Sequence, residues 1–305
     1  MRSLEQSTTA KCMLRLQLAS HLILHDMFSK ELHHRLWMPA FLIGLMLMAV
    51  LSATAAPIPV RFVEGATHGY LILRDERGDR LADGEMIQKT HGELVDGQLV
   101  FRFKDGSLHD ERVSFTQKHV FTLQSYKLLQ RGPSFPTTID LAMERKTGEY
   151  RLQSSRNGSS DEPLAGRIEL PDDVSNGMVM TLLRNLTPGH GETVHFIAFT
   201  PDPKVIELKL VPATKTSIRI GDLAKQMTQY TLEPQLDSLT MFFGKLLGKL
   251  PTAFHYHFWL LTEDVPAFGG FEGPLYLNGP TWRIEQTALS NIWPSQAAPT
   301  KETPH

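Results

Sequence analysis

The chain has 305 residues, 41% of them hydrophobic and 21% charged, with a formal net charge of −2 and a single cysteine. Frequent apolar residues and a small net charge exclude disorder over most of its length. The near-neutral balance excludes the basic face that a nucleic-acid partner needs, and only one stretch is apolar enough to enter a bilayer, which excludes a polytopic membrane protein.

That stretch comes first in chain order. Residues 37–51, WMPAFLIGLMLMAVL, follow Lys30 and Arg35 and precede Ala53-Thr54-Ala55, an A-x-A exit of small residues. A basic lead, a short apolar run and small residues beyond it make an export signal, here about residues 27–56. The run, about 15 residues, is shorter than the roughly 20 that span a bilayer. The expectation is cleavage near Ala55/Ala56 and release to the periplasm or the exterior. A single N-terminal anchor at about 37–56 is the alternative, and contact with the membrane is otherwise transient and confined to this segment. Met27 begins an ordinary signal by itself, so residues 1–26 read as an upstream extension. Cys12 lies in that extension, and the domain that follows has no disulfide to staple it.

From Gly69 onward, short β-type runs alternate with turn chemistry. GYLILR precedes Asp75-Glu76-Arg77-Gly78, and QLVFRF places Leu99, Phe101 and Phe103 on one face between the hairpin signals Asp96-Gly97 and Asp105-Gly106. In VFTLQSYKLL, strict alternation sets Phe121, Leu123 and Ser125 against Thr122, Gln124 and Tyr126. TIDLAME, EYRLQS, GRIEL, TVHFIAFT, VIELKLV, TSIRI, QMTQYTL, FHYHFWLL and TWRIEQ continue the series. About a dozen strands without long helical intervals predict an antiparallel sheet. Two segments carry helical spacing instead: Val174 to Leu186, and Leu236 to Leu250, which Gly244 and Gly248 weaken. The expected organisation is one β-rich domain over 57–290 and a disordered tail over 291–305.

Few constellations carry chemistry. His255 and His257, two apart on a strand, share a face and are the candidate metal pair, with His190, His195, Glu263 or Asp264 as a third ligand. The competing reading is a histidine pair turned to solvent, opposite Phe254, Tyr256 and Phe258. No nucleophile elbow and no H-E-x-x-H occur, so no catalytic residue and no cofactor are assigned. The adjacent acids Asp110-Glu111, Asp172-Asp173 and Glu263-Asp264 read as solvated carboxylates at turns.

The residues Asp105-Gly106-Ser107-Leu108, Gly132-Pro133-Ser134-Phe135-Pro136, Asp140, Leu170-Pro171, Asn176-Gly177, Leu182-Leu183 and a final Trp282-Arg283-Ile284 resemble an uncharacterised family of exported bacterial proteins. More loosely, the layout over residues 65–287 is similar to DUF3108 and to the LolA/LolB-like half-barrel proteins of the cell envelope. The lipobox of the lipoproteins among them is missing. The resemblance implies a mainly β fold: one highly curved antiparallel sheet, a half-barrel or open barrel, with one or two helices packed on it. It also implies an apolar concave face that holds a lipid or another hydrophobic small molecule, or meets an envelope partner. The expected lining is Phe101, Phe103, Phe121, Tyr126, Phe196, Phe199, Tyr230, Phe243, Phe258 and Trp259. Two other functions stay open: a metal-dependent hydrolase using His255 and His257, and a structural interaction module acting through loops such as Pro133-Ser134-Phe135-Pro136.

Overall fold

Alternating apolar side chains and turns built on aspartate and glycine fold the chain back on itself strand by strand. At the first turn Asp75 Oδ1 accepts from the backbone N–H groups of Arg77 at 3.0 Å and Asp79 at 2.8 Å, with Gly78 at φ +89°. At a later one Asp105 Oδ1 accepts from Ser107 N at 2.8 Å, with Gly106 at φ +84°. A computed structural model describes residues 57–156, 158–199, 203–220, 223–234, 256–262 and 265–287. All lie in one unit spanning Ala55–His305.

The strands are β1 (Thr67–Arg74), β2 (Arg80–His91), β3 (Leu94–Phe103), β4 (Leu108–Gln117), β5 (Phe121–Arg131), β6 (Thr137–Glu144), β7 (Glu149–Arg156), β8 (Ser159–Ser160) and β9 (Leu164–Arg167), followed by β10 (Glu192–Ala198), β11 (Lys204–Ile220), β12 (Leu223–Pro234), β13 (His257–Leu261), β14 (Ala267–Gly273) and β15 (Trp282–Gln286). The fold is mainly β, and the strands form one open antiparallel sheet. The sheet runs from β10 at one edge through β15 to β1, and on to β8 at the other edge, with β9 also paired to β7. Two meanders thus meet where the last strand lies beside the first, with Leu73 opposite Ile284 on one side and Ala82 on the other.

Two sequence-level details are corrected. Asp96-Gly97 is not a turn but lies inside β3; the reversal is at Gly92, at φ +65°. Gly97 instead lets β4 come close, since a Cβ there would sit 3.1 Å from Val113 Cγ1. Tyr126 does not oppose Phe121 and Leu123. Ser114 pairs with Ser125 and Phe115 with Leu123, so Gln124 is the extra residue of a bulge. The bulge flips the phase of β5, and Phe121, Leu123 and Tyr126 are all buried.

Among the described residues there is one helix, α1 (Val179–Asn185). It starts later than the helical spacing from Val174 predicts, because the preceding residues are committed elsewhere. Val174 bridges His195 on the β10 edge, Ser175 N donates to His195 O at 2.8 Å, and Asn176 exchanges two hydrogen bonds with Ile197. Asn185 ties α1 to the chain before β1: its Oδ1 accepts from Arg61 N at 2.8 Å and Phe62 N at 2.7 Å, and its Nδ2 donates to Thr181 O. No helix among the described residues is long and apolar enough to cross a membrane. The segment 37–51, the stretch from Leu236 to Leu250, His255, Glu263, Asp264 and the tail over 291–305 lie outside the described residues.

Candidate functional site

Strand β4 shows how the site is built. His109, Glu111, Val113 and Phe115 alternate along one face and all line a cavity of about 1340 Å³. Asp110, on the other face, accepts from Gln98 Nε2 at 2.8 Å and from Arg112 at 2.8 Å and 3.1 Å. The neighbouring strands continue the wall with Leu99 of β3, Tyr126 and Leu128 of β5 and Leu141 of β6. The second meander closes round it with Phe196 of β10, Leu208 of β11, Leu232 of β12, Phe258 of β13 and Phe271 of β14, while Val179 and Met180 of α1 complete the enclosure. Exposed side chains at the rim, among them Arg156, Asp161 and Glu162, mark where it meets solvent.

Of the expected lining, the structure brings Tyr126, Phe196, Phe199 and Phe258 to the cavity. Phe101, Phe103 and Phe121 do not line it, because they fill the interior instead. Phe101 is fully buried under Gly84, and Phe103 joins Phe135, Tyr276 and Trp282 in a cluster of tilted and edge-on rings 5.3–6.0 Å apart. Phe121 packs edge-on against Phe115 at 5.9 Å. Tyr230 is buried opposite Phe258 without reaching the cavity. Trp259 is half-buried near His257, their ring centroids 5.9 Å apart, and neither lines the cavity. Phe243 lies outside the described residues. The loop Pro133-Ser134-Phe135-Pro136 turns its aromatic side chain inward, with Phe135 only 5% exposed.

His257 takes part in a 3.3 Å contact between its Nδ1 and Thr231 Oγ1. Its expected partner His255 lies outside the described residues. Among the described residues, no three His, Cys, Asp or Glu side chains are grouped to hold a metal ion.

Polar groups that the aromatic pattern does not announce are set into the apolar wall. Tyr126 Oη donates to Glu111 Oε1 at 2.7 Å. Glu111 lines the cavity and is half-buried, and desolvation there pushes its pKa up against the Tyr126 hydrogen bond. Gln130 Nε2 donates to Leu275 O and to His109 Nδ1, both at 2.9 Å. Burial pushes the His109 pKa down to about 4, against the pull of Asp110, so the imidazole is neutral at pH 7. At the other end of β4, Glu64 Oε2 accepts from Arg184 Nη1 at 2.6 Å and Gln88 Nε2 at 2.9 Å, while Glu64 N donates to Gln117 Oε1 at 2.6 Å. Glu111 is therefore not one of a solvated pair at a turn: Asp110 faces out and Glu111 faces in. The alternation His109, Glu111, Val113, Phe115 was the available signal, since two apolar members of a face place the others inward too.

An additional fit-dependent contact frames this wall. Gly177, at φ +73°, lines the cavity where a Cβ would sit 3.1 Å from the Tyr126 ring. Backbone is thus laid directly on the side chain that holds Glu111. The arrangement provides a mainly apolar space, open at its rim, with a few fixed hydrogen-bonding groups, which is chemistry for holding a molecule. Compared with known protein families, curated proteins and solved structures, the chain finds no match.

Proposed function

We propose that this is an exported protein of the cell envelope that holds a lipophilic molecule in the concave face of its sheet, without converting it. The observation that carries the reading is the cavity of about 1340 Å³, walled mainly by apolar side chains from both meanders and from α1. Ligand sites usually enclose about 300–1,000 Å³ with an apolar lining and a few placed polar groups, and this one is larger. Export is supported by the basic, apolar and small-residue succession up to Ala55.

Native mass spectrometry of the full chain, expressed with its own N-terminal segment and purified without detergent, tests the reading. The expected spectrum shows an adduct of several hundred daltons that denaturation releases. A bare chain that also fails to take up the neutral fluorophore N-phenylnaphthylamine overturns it.

A further inference from the structure

His109 has one nitrogen accounted for and one without a partner. Because Gln130 Nε2 donates to Nδ1, the neutral ring carries its proton on Nε2. That N–H is buried in the cavity wall and meets no acceptor among the described residues, in a side chain only 3% exposed. Buried donors are rarely left unpaired, and the space bordered by the His109 side chain is where a partner for this one would come from. We infer that the cavity takes an uncharged lipophile bearing a hydrogen-bond acceptor, such as an ester or ketone oxygen, seated against His109 beside Glu111. This inference rests on the reading of the cavity as a ligand site and names the class of ligand.

The charges around the cavity select against an anion. Among the described residues its lining holds the carboxylates of Glu64, Asp161 and Glu162 against Arg156 and Arg184 as permanent cations. Arg184 is already matched to Glu64 and also donates to Pro266 O at 2.8 Å, and Arg156 sits exposed at the rim against Thr137 Oγ1. Glu64 Oε1, also buried and without a hydrogen-bond partner among the described residues, is itself an acceptor and adds to the repulsion. A cationic head is disfavoured at the His109 end, where the free group is itself a donor on a neutral ring. Along β4, His109 and Gln117, which holds Glu64, are separated by about 26 Å at 3.3 Å per residue, so the space suits an elongated chain.

The test uses the full chain stripped of endogenous adducts and loaded with N-phenylnaphthylamine. Displacement is then measured with methyl myristate, myristate, tetradecylammonium and tetradecane. The expected order puts methyl myristate about tenfold ahead of tetradecane, in keeping with one well-placed hydrogen bond, and ahead of both charged compounds. His109→Phe, which suits the neighbouring Phe101 and Phe135 rings, is expected to erase the preference for the ester over tetradecane, the ratio of the two being the quantity read. His109→Gln, which restores an N–H donor, is expected to keep part of it and controls for a folding defect. Equal displacement by ester and alkane, preference for either charged compound, or an ester preference that survives in His109→Phe overturns the inference while leaving a lipophile site standing. Failure of the fluorophore and of all four compounds to bind overturns the site itself.

Discussion

The Tyr126 hydroxyl donates to Glu111 Oε1 at 2.7 Å, a diagonal link between β5 and β4 on the face that walls the cavity. It depends on the bulge at Gln124, because strict alternation along β5 would turn Tyr126 to the opposite face from Phe121. Removing the hydroxyl leaves a half-buried acceptor without its donor. Tyr126→Phe is therefore expected to lower stability by about 1–2 kcal/mol, read from urea denaturation midpoints at constant slope. A midpoint unchanged in the variant would show that water replaces the hydroxyl without cost.

Glu111 gives stability a pH dependence of defined sign. Burial holds its folded-state pKa above the usual 4.5, so the folded protein keeps a proton that the unfolded chain releases. The resulting contribution is full below pH 4.5 and is lost as pH rises through the folded-state value. Glu111→Gln keeps a neutral side chain of similar size at every pH. Denaturation curves collected across the acid to neutral range should fall less steeply with rising pH in the variant. Parallel curves for the two proteins would place the carboxylate in a wetter setting than the wall of β4.

His109 acts in the opposite direction over an overlapping range. Its folded-state pKa is pushed down from 6.5 to about 4 by burial, so the unfolded chain takes up the proton first on acidification. Its contribution is full above pH 6.5 and is lost as pH falls to about 4, with a total on the order of 3 kcal/mol. His109→Phe should become less sensitive to acid than the parent, although it forfeits the Gln130 contact at neutral pH. NMR titration of the imidazole provides a direct check: a midpoint near the free value would sink the argument.

How much of this was legible beforehand differs between fold and site. Period-2 runs such as QLVFRF and turns such as Asp105-Gly106 carry the antiparallel architecture, because each is a local preference that the sheet then satisfies. What local preference does not contain is which inward-facing aromatic finds a partner and which faces open space. Phe101 and Leu99 share a face of β3, yet Phe101 is sealed under Gly84 of β2 while Leu99 borders the cavity. The polar lining was hidden for a different reason. His109 and Gln130 are far apart in the chain and meet only through the pairing of β4 with β5, and Gln124 shifts that register without an obvious mark in the sequence.

The seal over Phe101 yields a packing prediction. Gly84 pairs with Phe101 across β2 and β3, and a Cβ at Gly84 would lie 2.3 Å from the Phe101 ring. Leu71 Cβ, on the other side, would be 3.2 Å away, so the ring has little room to yield. Gly84→Ala is expected to cost about 1–3 kcal/mol by overpacking. Adding Phe101→Leu frees part of the space, and the double variant should be more stable than the sum of the two single losses predicts. Strict additivity in denaturation would mean that the strands separate instead of the ring being compressed.

The seam between the meanders is held by an ion pair as well as by backbone. Arg74 Nε donates to Glu285 Oε1 at 2.7 Å, joining β1 to β15, and Arg74 Nη1 also donates to Gly78 O in the first turn. The two partners are unequal: the Glu285 side chain is 1% exposed and that of Arg74 is 28% exposed. Truncating the arginine strands a buried carboxylate, whereas neutralising both partners removes the charge together with its need. Arg74→Met is therefore expected to cost about 3 kcal/mol, and Arg74→Met combined with Glu285→Gln to recover most of that loss. Since the pairing of β15 with β1 is, among the described residues, the strand ladder that joins the second meander to the first, the loss should not stay local. Amide hydrogen exchange in Arg74→Met should show β1 and β15 opening before the centre of either meander, and the cavity, whose wall both meanders supply, should release N-phenylnaphthylamine faster. Protection lost first at the β8 or β10 edges would show that the seam is held by its backbone ladder alone.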